Sequence, residues 1–444
     1  MTKYLIIGAG AAGVSAVEAI RKFDPLGEIT QICDESAGYY SRPGLAYYLT
    51  GEITEDCLYP FQENDFKRLK VQRVNAKAKS IFPIEHRVEL HNGQSLAYNR
   101  LLIATGAKAT GGKVPGLELE GVSKLDNLED ARRILKFSHR RRTAVIVGGG
   151  ITALELVEGF RARGLNVHYF LRGDRYWSNV LDETESRIVE HRLKEEGIHI
   201  DYQTELAEVL GKRGRVTGVI TTDGRRINCD VVGIAIGILP RKDIADTAGI
   251  KINRGISVDE FLNTNIADIY AAGDVAEVYD PLIGKAILDS LWGPARKQGY
   301  IAGLNMAGKK TPYSKGVPFN VTRLAGLTTT IIGAVGGCEE DTDVVGIVRG
   351  DSEAWRQMPD AIVAQANFNV NRLRVMVGEN HIVGALLMGD QTLSSALRHI
   401  IVEKTDISPI RERILSPNHS IADVIADFWT EISLANGNKE YATI

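Results

Sequence analysis

The chain has 444 residues, of which 44% are hydrophobic and 25% charged, and its formal net charge is -3. These are ordinary globular values, so the length predicts two or three domains and the charge gives no reason to expect nucleic acid or an anionic membrane as a partner. The apolar runs are far shorter than the roughly 20 residues that span a bilayer, which predicts a chain without a membrane span.

A strand, a glycine-rich turn and a helix are predicted at the start of the chain. Residues 4–7 read as the strand and residues 11–23 as the helix. Between them, Gly8, Gly10 and Gly13 follow the dinucleotide-binding spacing. Such glycines permit a tight turn, close approach of a pyrophosphate to the backbone, and close helix–strand packing.

The next strand adds an acidic residue to this fingerprint. Residues 29–33 are predicted to form the strand, which ends in Asp34 and Glu35. A carboxylate at this place accepts hydrogen bonds from ribose hydroxyls, while Ala11 and Ala12 present helix N-terminal N–H groups to phosphate. The alternative is a glycine-rich turn without a ligand.

A second fingerprint follows a strand at residues 144–147. It comprises Gly148, Gly150, Ile151 and Thr152 and ends in alanine in place of the third glycine, which is a tolerated variant. Two such loops in one chain predict two nucleotide cofactors and an internal electron relay.

The strand at residues 166–171 bears on the choice of nicotinamide nucleotide. No acidic residue stands at its end, where Arg172 and Arg175 follow instead. Guanidinium groups there suit a 2′-phosphate, which favours NADPH over NADH. The alternative is two solvated arginines in a loop.

The remaining segments predict an α/β fold with two Rossmann-like dinucleotide-binding domains and a C-terminal α+β domain. The pattern places the first domain at residues 1–115 and 246–312, the second at 116–245, and the third at 313–444. In the third, we expect strands at 328–333, 372–377 and 382–388, a helix from about residue 392, and an amphipathic helix at about 421–434.

Four further side chains are candidates for cofactor binding, and each also has a purely structural interpretation. Glu155, placed in the first turn of the second fingerprint helix, could favour the helix dipole or face the cofactors. Asp274 could bind a polyol or cap a helix. Arg42 could clamp a pyrophosphate or lie on the surface. Trp292, in a stretch predicted to precede a helix, could line a flavin or nicotinamide pocket or be a core residue.

Cysteine and histidine spacing predicts neither a metal site nor a disulfide. The four cysteines are far apart and form no CxxC motif, so iron–sulfur ligation is not expected. Cys338 reads as a bystander thiol, and the histidines as surface or packing residues. With a first strand that leaves no room for a signal peptide, this predicts a cytoplasmic protein with reduced thiols.

Taken together, these motifs resemble the FAD-dependent pyridine nucleotide-disulfide oxidoreductases of the glutathione-reductase-like class. The match covers residues 3–400 or thereabouts. It rests on motifs that occur in the order of the family: the Gly8 fingerprint, Ala104-Thr105-Gly106, the Gly148 fingerprint, Gly237 with Pro240, and Ala272-Gly273-Asp274. Within the class, the chain is most similar to rubredoxin and ferredoxin reductases, NADH oxidases and the FAD module of nitrite reductases.

The resemblance implies FAD on the first domain, a nicotinamide nucleotide on the second, and a C-terminal interface domain that often supports a homodimer. It also implies residue roles. Glu155 would lie near the nicotinamide and flavin. The residues expected around FAD are Gly8, Gly10, Gly13, Asp34, Arg42, Pro43, Ala78, Ala104, Thr105, Gly106, Gly273, Asp274, Trp292 and Ala295.

Two departures from the family restrict the chemistry. Disulfide reductases and related oxidases carry cysteine at or near the position that Pro43 occupies here, so no thiolate can form there. Oxygenase-type ferredoxin reductases place a lysine where this chain has Tyr47, so their Lys–Glu pair beside the flavin is missing.

We therefore expect an FAD enzyme that accepts hydride from NAD(P)H and passes electrons to a separate redox protein or partner subunit. The alternatives are an NAD(P)H oxidase or quinone-type reductase with a diffusible acceptor, and a redox-sensing flavoprotein without turnover. Only the C-terminal helix favours the last of these.

Overall fold

The computed structural model describes residues 1–138, 142–281, 284–335, 371–416 and 418–435. The described chain divides into two compact units. Unit 1 contains residues 1–172 and 197–315, and unit 2 contains residues 173–196, 316–335 and the described residues from 371 onward. Cys338 lies outside the described residues.

Unit 1 contains twenty-one described strands and seven described α-helices. The strands are β1 Lys3–Ile7, β2 Glu28–Cys33, β3 Val71–Asn75, β4 Ala78–Phe82, β5 Arg87–Leu90, β6 Ser95–Ala97, β7 Arg100–Ile103, β8 Ala107–Ala109, β9 Val122–Ser123, β10 Thr143–Val147, β11 Asn166–Phe170, β12 His199–Asp201, β13 Leu206–Lys212, β14 Arg215–Thr221, β15 Arg226–Ile227, β16 Val231–Ile234, β17 Ile238–Pro240, β18 Ile256–Ser257, β19 Ile269–Ala271, β20 Ala276–Asp280 and β21 Lys285–Leu288. The helices are α1 Ala11–Phe23, α2 Leu45–Thr50, α3 Glu63–Arg68, α4 Leu128–Phe137, α5 Ile151–Ala162, α7 Asp243–Asp246 and α8 Trp292–Met306, with α6 in unit 2 and a 3-10 helix at Glu55–Leu58.

The first parallel sheet has the strand order β19-β7-β1-β2-β3. Its central strand β1 is buried at four of five positions. This agrees with its uninterrupted apolar run, which is typical of a strand covered on both faces. At the carboxyl ends of β1 and β7 the backbones converge so closely that a Cβ on Gly8 would lie 2.1 Å from the Ala104 carbonyl oxygen. Gly8 also has φ +118°, so both sterics and backbone conformation require glycine.

Helices α1 and α8 pack against each other through two glycines on α8. A Cβ on Gly299 would lie 2.0 Å from the carbonyl oxygen of Ala12, and one on Gly303 would lie 2.5 Å from that of Ala16. The two glycines are one helical turn apart, so they form one strip of bare backbone against α1. This close approach fixes the N-terminus of α1 relative to α8.

The second parallel sheet repeats the organisation of the first, in the order β12-β11-β10-β16-β9. Its central strand β10 pairs with β11 and β16, and α5 follows β10 as α1 follows β1. A two-stranded antiparallel ribbon, β8 with β17, lies in the same unit, with Pro240 opposite Ala107. The mixed α/β fold with two Rossmann-like sheets is thereby confirmed.

Unit 2 is built on an antiparallel sheet of order β22-β23-β25-β24. Its strands are β22 Phe319–Leu324, β23 Leu327–Gly333, β24 Arg372–Val377 and β25 Ile382–Met388, and its helices are α6 Glu183–Glu195, Ser394–Val402, Arg411–Leu415 and Ile421–Ala435. The last helix buries Val424, Ile425, Phe428 and Trp429 in the core of this unit. The predicted amphipathic helix therefore packs on its own unit.

Segment 173–196, which the sequence grouped with the second dinucleotide domain, clusters with unit 2. Within this unit the fully buried Glu185 carboxylate accepts hydrogen bonds from Arg374, with Nε at 2.8 Å. The predicted three-domain boundaries stay a prediction. None of the described helices combines the length and hydropathy needed to cross a bilayer.

Candidate cofactor sites

A cavity of about 580 Å³ opens at the carboxyl edge of the first sheet. It draws its lining from segments between residues 7 and 295, all in unit 1. The predicted residues that line it are Gly8, Gly10, Ala11, Ala12, Asp34, Glu35, Arg42, Pro43, Ala78, Ala104, Thr105, Gly106, Gly273, Asp274, Trp292 and Ala295. The structure thus brings together sixteen predicted residues from seven parts of the sequence.

The N-terminus of α1 faces this cavity as bare backbone. Gly10 is the N-cap, no side chain caps the helix, and the first turn carries no acidic residue. A Cβ on Gly10 would meet nothing within 4 Å, so open space lies directly in front of this turn. The first helical N–H groups have no intrahelical acceptor, which suits them to bind an anion.

Gly13 differs from Gly8 and Gly10 because it does not line the larger cavity. A Cβ there would lie 2.1 Å from the carbonyl oxygen of Gly8. Its contribution is therefore close packing of α1 on the turn, which is the packing role of the third glycine in this motif.

The two acidic residues after β2 differ in their surroundings. Asp34 is exposed at the rim of the cavity. Glu35 is held inside: it accepts a hydrogen bond from Tyr40 at 2.8 Å and forms an ion pair with Arg42. Asp34 is therefore the residue open to a ribose, whereas Glu35 neutralises Arg42.

On another wall, Thr105 and Gly106 hold Arg241 through its backbone. The Thr105 hydroxyl donates to the Arg241 carbonyl oxygen at 2.7 Å, and the Arg241 N–H donates to the Gly106 carbonyl oxygen at 2.9 Å. The Arg241 guanidinium pairs with the Asp126 carboxylate at 2.8 Å, and the Asp126 carbonyl oxygen accepts from Arg42.

The sequence did not identify several residues of this wall. They are Lys77, Lys79, His91, Lys108, Asp126, Arg241 and Asp243. Only Arg241 carried a signal, since it directly follows Pro240 of the motif that the resemblance singled out. The others lie on segments whose local patterns indicate only strands, turns and a short helix.

Trp292 lines the cavity and is part of an aromatic pair. Trp292 stacks on Tyr39, with ring centroids 6.0 Å apart and planes inclined by 16°. Its indole Nε1 is buried and makes no hydrogen bond within the described chain. Trp292 is the first residue of α8, so the prediction that this stretch precedes a helix was wrong: residues 292–299 already lie in the helix.

A second cavity of about 120 Å³ lies at the second sheet. Gly150, Ile151, Thr152 and Gly237 line it, together with Gly149. Helix α5 begins there without a side-chain cap or an acidic first turn, and a Cβ on Gly150 would meet nothing within 4 Å. This repeats the exposed helix N-terminus of the first site.

Gly148 has the same steric role as Gly8. It has φ +143°, and a Cβ on it would lie 2.2 Å from the Ala235 carbonyl oxygen. It therefore permits the turn between β10 and α5 and lines neither cavity.

The β8–β17 ribbon contributes residues to both cavities. Ala107, Lys108 and Ile238 line the larger one, and Ala109 and Gly237 line the smaller one. Consecutive residues of β8, and Ile238 of β17 with Gly237 directly before it, therefore serve both sites. This fixes the two cavities as neighbours within one unit.

The remaining predicted site residues lie outside these linings. Glu155 is 9% exposed and is the fifth residue of α5, so its placement in the first turn was wrong. Arg172 is exposed at the end of unit 1. Arg175 belongs to unit 2, where it contacts Asp174 at 3.3 Å.

The described cysteines Cys33, Cys57 and Cys229 are unpaired. Cys33 lines the larger cavity, and burial raises the pKa of its thiol. A raised pKa disfavours the thiolate, which is the reactive form. The cavity therefore contains a thiol but no activated one.

One cluster of potential metal ligands appears among the described residues. His168, His199 and Asp201 lie within 4.8 Å of one another. However, the buried Asp201 carboxylate accepts a hydrogen bond from Arg225 at 3.1 Å. The carboxylate is thus already paired with a guanidinium. This pairing explains how the Asp201 charge can be buried without a metal ion.

Comparison with known proteins identifies the family. Residues 2–299 match the family model described as pyridine nucleotide-disulphide oxidoreductase. The chain belongs to this family. It is similar to an NADH oxidase of Methanocaldococcus jannaschii, with 32% identity over 70% of this chain and 71% of that protein.

Two further comparisons extend over more of the chain. The ferredoxin–NAD(+) reductase component of the biphenyl dioxygenase system of Paraburkholderia xenovorans is 30% identical over 79% of this chain and 84% of that protein. A chain of the covalent putidaredoxin reductase–putidaredoxin complex has the same fold, with a TM-score of 0.80, 21% identity, and coverage of 96% of this chain and 98% of that one.

As a member of the pyridine nucleotide-disulphide oxidoreductase family, the protein is an oxidoreductase that uses FAD and a nicotinamide nucleotide. The residues present fit these groups. Each fingerprint offers bare glycine backbone and an uncapped helix N-terminus to open space, which is what a pyrophosphate needs. The larger site also offers a rim carboxylate and a stacked indole.

Proposed function

We propose that the protein oxidises NAD(P)H with FAD and delivers the electrons to a separate redox protein or partner subunit. The observation that carries this proposal is the β8–β17 ribbon, whose consecutive residues line both nucleotide cavities. FAD held in the larger cavity and a nicotinamide nucleotide held in the smaller one would then occupy adjoining sites. FAD, when bound, supplies the chemistry that converts a two-electron hydride donor into a source of electrons for an acceptor.

The chain's own residues would bind and orient the cofactors. In the larger cavity, the Ala11 and Ala12 N–H groups would meet the pyrophosphate, and Asp34 the adenosine ribose. Thr105, Gly106 and Asp274 would hold the ribityl-phosphate region. Pro43, Ala78, Ala104, Gly273 and Ala295 would supply apolar or backbone walls, and Trp292 would exclude water beside the flavin ring.

In the smaller cavity, Gly150, Ile151 and Thr152 would bind the nicotinamide nucleotide at the N-terminus of α5. Glu155 remains the residue expected near the nicotinamide, on the strength of the family resemblance. Its burial in α5 supports a positioning role. Glu155→Gln should then slow the hydride step while leaving the FAD content unchanged.

The proposal of a separate acceptor follows from what the larger cavity lacks. Pro43 occupies the position at which disulfide reductases of this family place cysteine, and Cys33 has a raised pKa. Electrons therefore have no thiol acceptor among the described residues of this cavity. The ferredoxin reductase name of the P. xenovorans relative supports a protein acceptor.

The test is anaerobic reduction of the purified protein by NADH or NADPH, followed at the flavin absorbance band. The reduced protein is then mixed with rubredoxin, ferredoxin, a quinone or air. Reoxidation by a protein acceptor at least tenfold faster than by air supports the proposal. Protein that binds no flavin, or that NAD(P)H does not reduce, contradicts it.

A second function, NAD(P)H oxidase or quinone reductase, has one observation in its favour. The relative from M. jannaschii is named an NADH oxidase. Rapid reoxidation by air or quinone in the same experiment would select it. The redox-sensing alternative has lost its support, because the C-terminal helix packs into the core of unit 2.

We further propose a preference for NADPH over NADH, based on the exposed Arg172 and on Arg175, which follows three positions later in the sequence. Arg172→Ala should weaken NADPH binding more than NADH binding, because only NADPH carries the 2′-phosphate. Arg226→Ala, an exposed arginine on β15, is the matched control. Equal losses for both nucleotides would contradict the preference.

We also propose that the protein is a cytoplasmic homodimer. The resemblance supports the dimer, and the unpaired described cysteines are consistent with a reducing compartment. Light scattering of the full chain during size-exclusion chromatography tests the dimer. Fractionation of the source cells tests the location.

A further inference from the structure

We propose that Arg241 is a second guanidinium ligand of the cofactor's phosphate region, which Asp126 holds in place before the cofactor binds. This inference rests on the proposed function, because it assumes that FAD occupies the larger cavity. It adds a residue and an ion pair that neither the sequence motifs nor the family resemblance assigned.

The backbone of Arg241 is fixed at the place where the ribityl-phosphate region of FAD is proposed to lie. Thr105 and Gly106 each bond the Arg241 backbone, at 2.7 and 2.9 Å. Pro240, the residue before Arg241, pairs with Ala107 in the β8–β17 ribbon and so also restricts the backbone of Arg241. The side chain therefore starts from a rigid point on the cavity wall and loses little entropy on binding a ligand.

The guanidinium of Arg241 retains donor capacity. Its ion pair with Asp126 uses one terminal nitrogen, which lies 2.8 Å from the carboxylate. Its Nε is buried and makes no hydrogen bond within the described chain. A buried donor left without an acceptor is costly, which makes an anion from the ligand the natural partner.

The charge balance of the wall also calls for this residue. Five acidic side chains line the larger cavity, Asp34, Glu35, Asp126, Asp243 and Asp274, against five basic ones, Arg42, Lys77, Lys79, Lys108 and Arg241. Arg42 is paired to Glu35, so part of its charge is compensated, and Arg241 adds a second guanidinium to the wall that a pyrophosphate dianion would face.

Asp126 links the two arginines. Its carbonyl oxygen accepts from Arg42, and its carboxylate accepts from Arg241. The carboxylate thereby orients Arg241 while competing for its charge. Asparagine at position 126 would keep an acceptor oxygen that orients Arg241 and would remove the competing charge. Loss of the guanidinium should therefore weaken cofactor binding, whereas Asp126→Asn should not.

The experiment compares Arg241→Gln, Asp126→Asn and the wild type. Arg215→Gln is the matched control, because Arg215 is an exposed arginine paired with Glu120 in the same unit. Full-length protein is stripped of flavin and titrated with FAD by fluorescence quenching. FAD release from the undepleted holoprotein is followed separately, and circular dichroism checks that each variant is folded.

Arg241→Gln should weaken FAD binding roughly tenfold or more, as expected for a lost charge-assisted hydrogen bond to phosphate. Asp126→Asn should bind FAD as tightly as the wild type or more tightly, and Arg215→Gln should match the wild type. The loss in Arg241→Gln should shrink as salt is added, because it is electrostatic.

Equal weakening by Arg241→Gln and Asp126→Asn would overturn the inference, since the pair would then be purely structural. Unchanged FAD affinity in Arg241→Gln would also overturn it and leave the proposed function intact. Failure of the wild-type chain to bind FAD would instead refute the proposed function itself.

Discussion

Replacement of Gly299 by alanine tests how the close packing of α1 and α8 supports the cofactor site. In the native structure a Cβ at this position would lie 2.0 Å from the Ala12 carbonyl oxygen and 2.6 Å from the Ala12 Cα. Ordinary contacts of a Cβ begin near 3.4 Å. The two helices must therefore separate by about 1.4 Å at this point.

Such overpacking of a well-packed interface costs about 1–3 kcal/mol of stability. The melting temperature should fall by roughly 5 °C, because 1 kcal/mol corresponds to a few degrees in a domain of this size. The separation also displaces the N-terminus of α1, whose Ala11 and Ala12 line the larger cavity. FAD affinity should fall together with stability.

The assay is thermal unfolding by circular dichroism, with FAD titration of the same samples. Gly293→Ala is the matched control: it lies in the same helix, and a Cβ there would meet nothing within 4 Å. Equal melting temperatures and equal FAD affinities for the two variants would refute the reasoning that Gly299 is required by contact with α1.

Two further predictions concern buried charge and a buried thiol. Arg374→Met should lower the free energy of unfolding by about 3 kcal/mol, because it removes the main cation that pairs with the fully buried Glu185. Arg413→Met breaks an exposed ion pair and should lower it by less than about 1 kcal/mol. Equal urea midpoints for the two variants would refute this prediction. Burial raises the pKa of the Cys229 thiol from 9.0 to about 12. The unfolded thiol therefore ionises first, and its contribution to stability is complete below pH 9 and is lost as the pH rises toward 12. Between pH 8 and pH 10 the wild type should lose on the order of 1 kcal/mol more than Cys229→Ala in urea unfolding; parallel pH profiles would argue against the shift.

Short-range patterns in the sequence, together with the family resemblance, predicted the fold class and sixteen of the residues that line the larger cavity. The fingerprint glycines were identifiable because a strand-to-helix turn against a neighbouring strand leaves no room for a Cβ at Gly8 or Gly148. Asp34 was identifiable because parallel strands end at one edge of their sheet. The apolar periodicity of residues 421–434 correctly indicated a helix packed by one face.

Glu155 and Trp292 show the limits of reading helix boundaries from sequence. The start of α5 at Ile151 places Glu155 one residue beyond the first turn, and α8 begins at Trp292 itself. The first shift is one residue, which is the usual uncertainty of a helix end, whereas the second spans residues 292–299, where no side-chain cap marks the start of α8.

The sequence by itself determined where two nucleotides are expected, because fingerprint chemistry depends on backbone geometry within about 30 residues. Only the tertiary structure decided the partners of the charged groups. Arg42 meets Asp126 across 84 positions, and Arg241 meets the same residue across 115. Such pairs form where separate segments converge on one cavity, and no local periodicity or turn preference encodes that convergence. Only the folded chain therefore shows which charged groups pair with one another among Glu35, Arg42, Asp126 and Arg241.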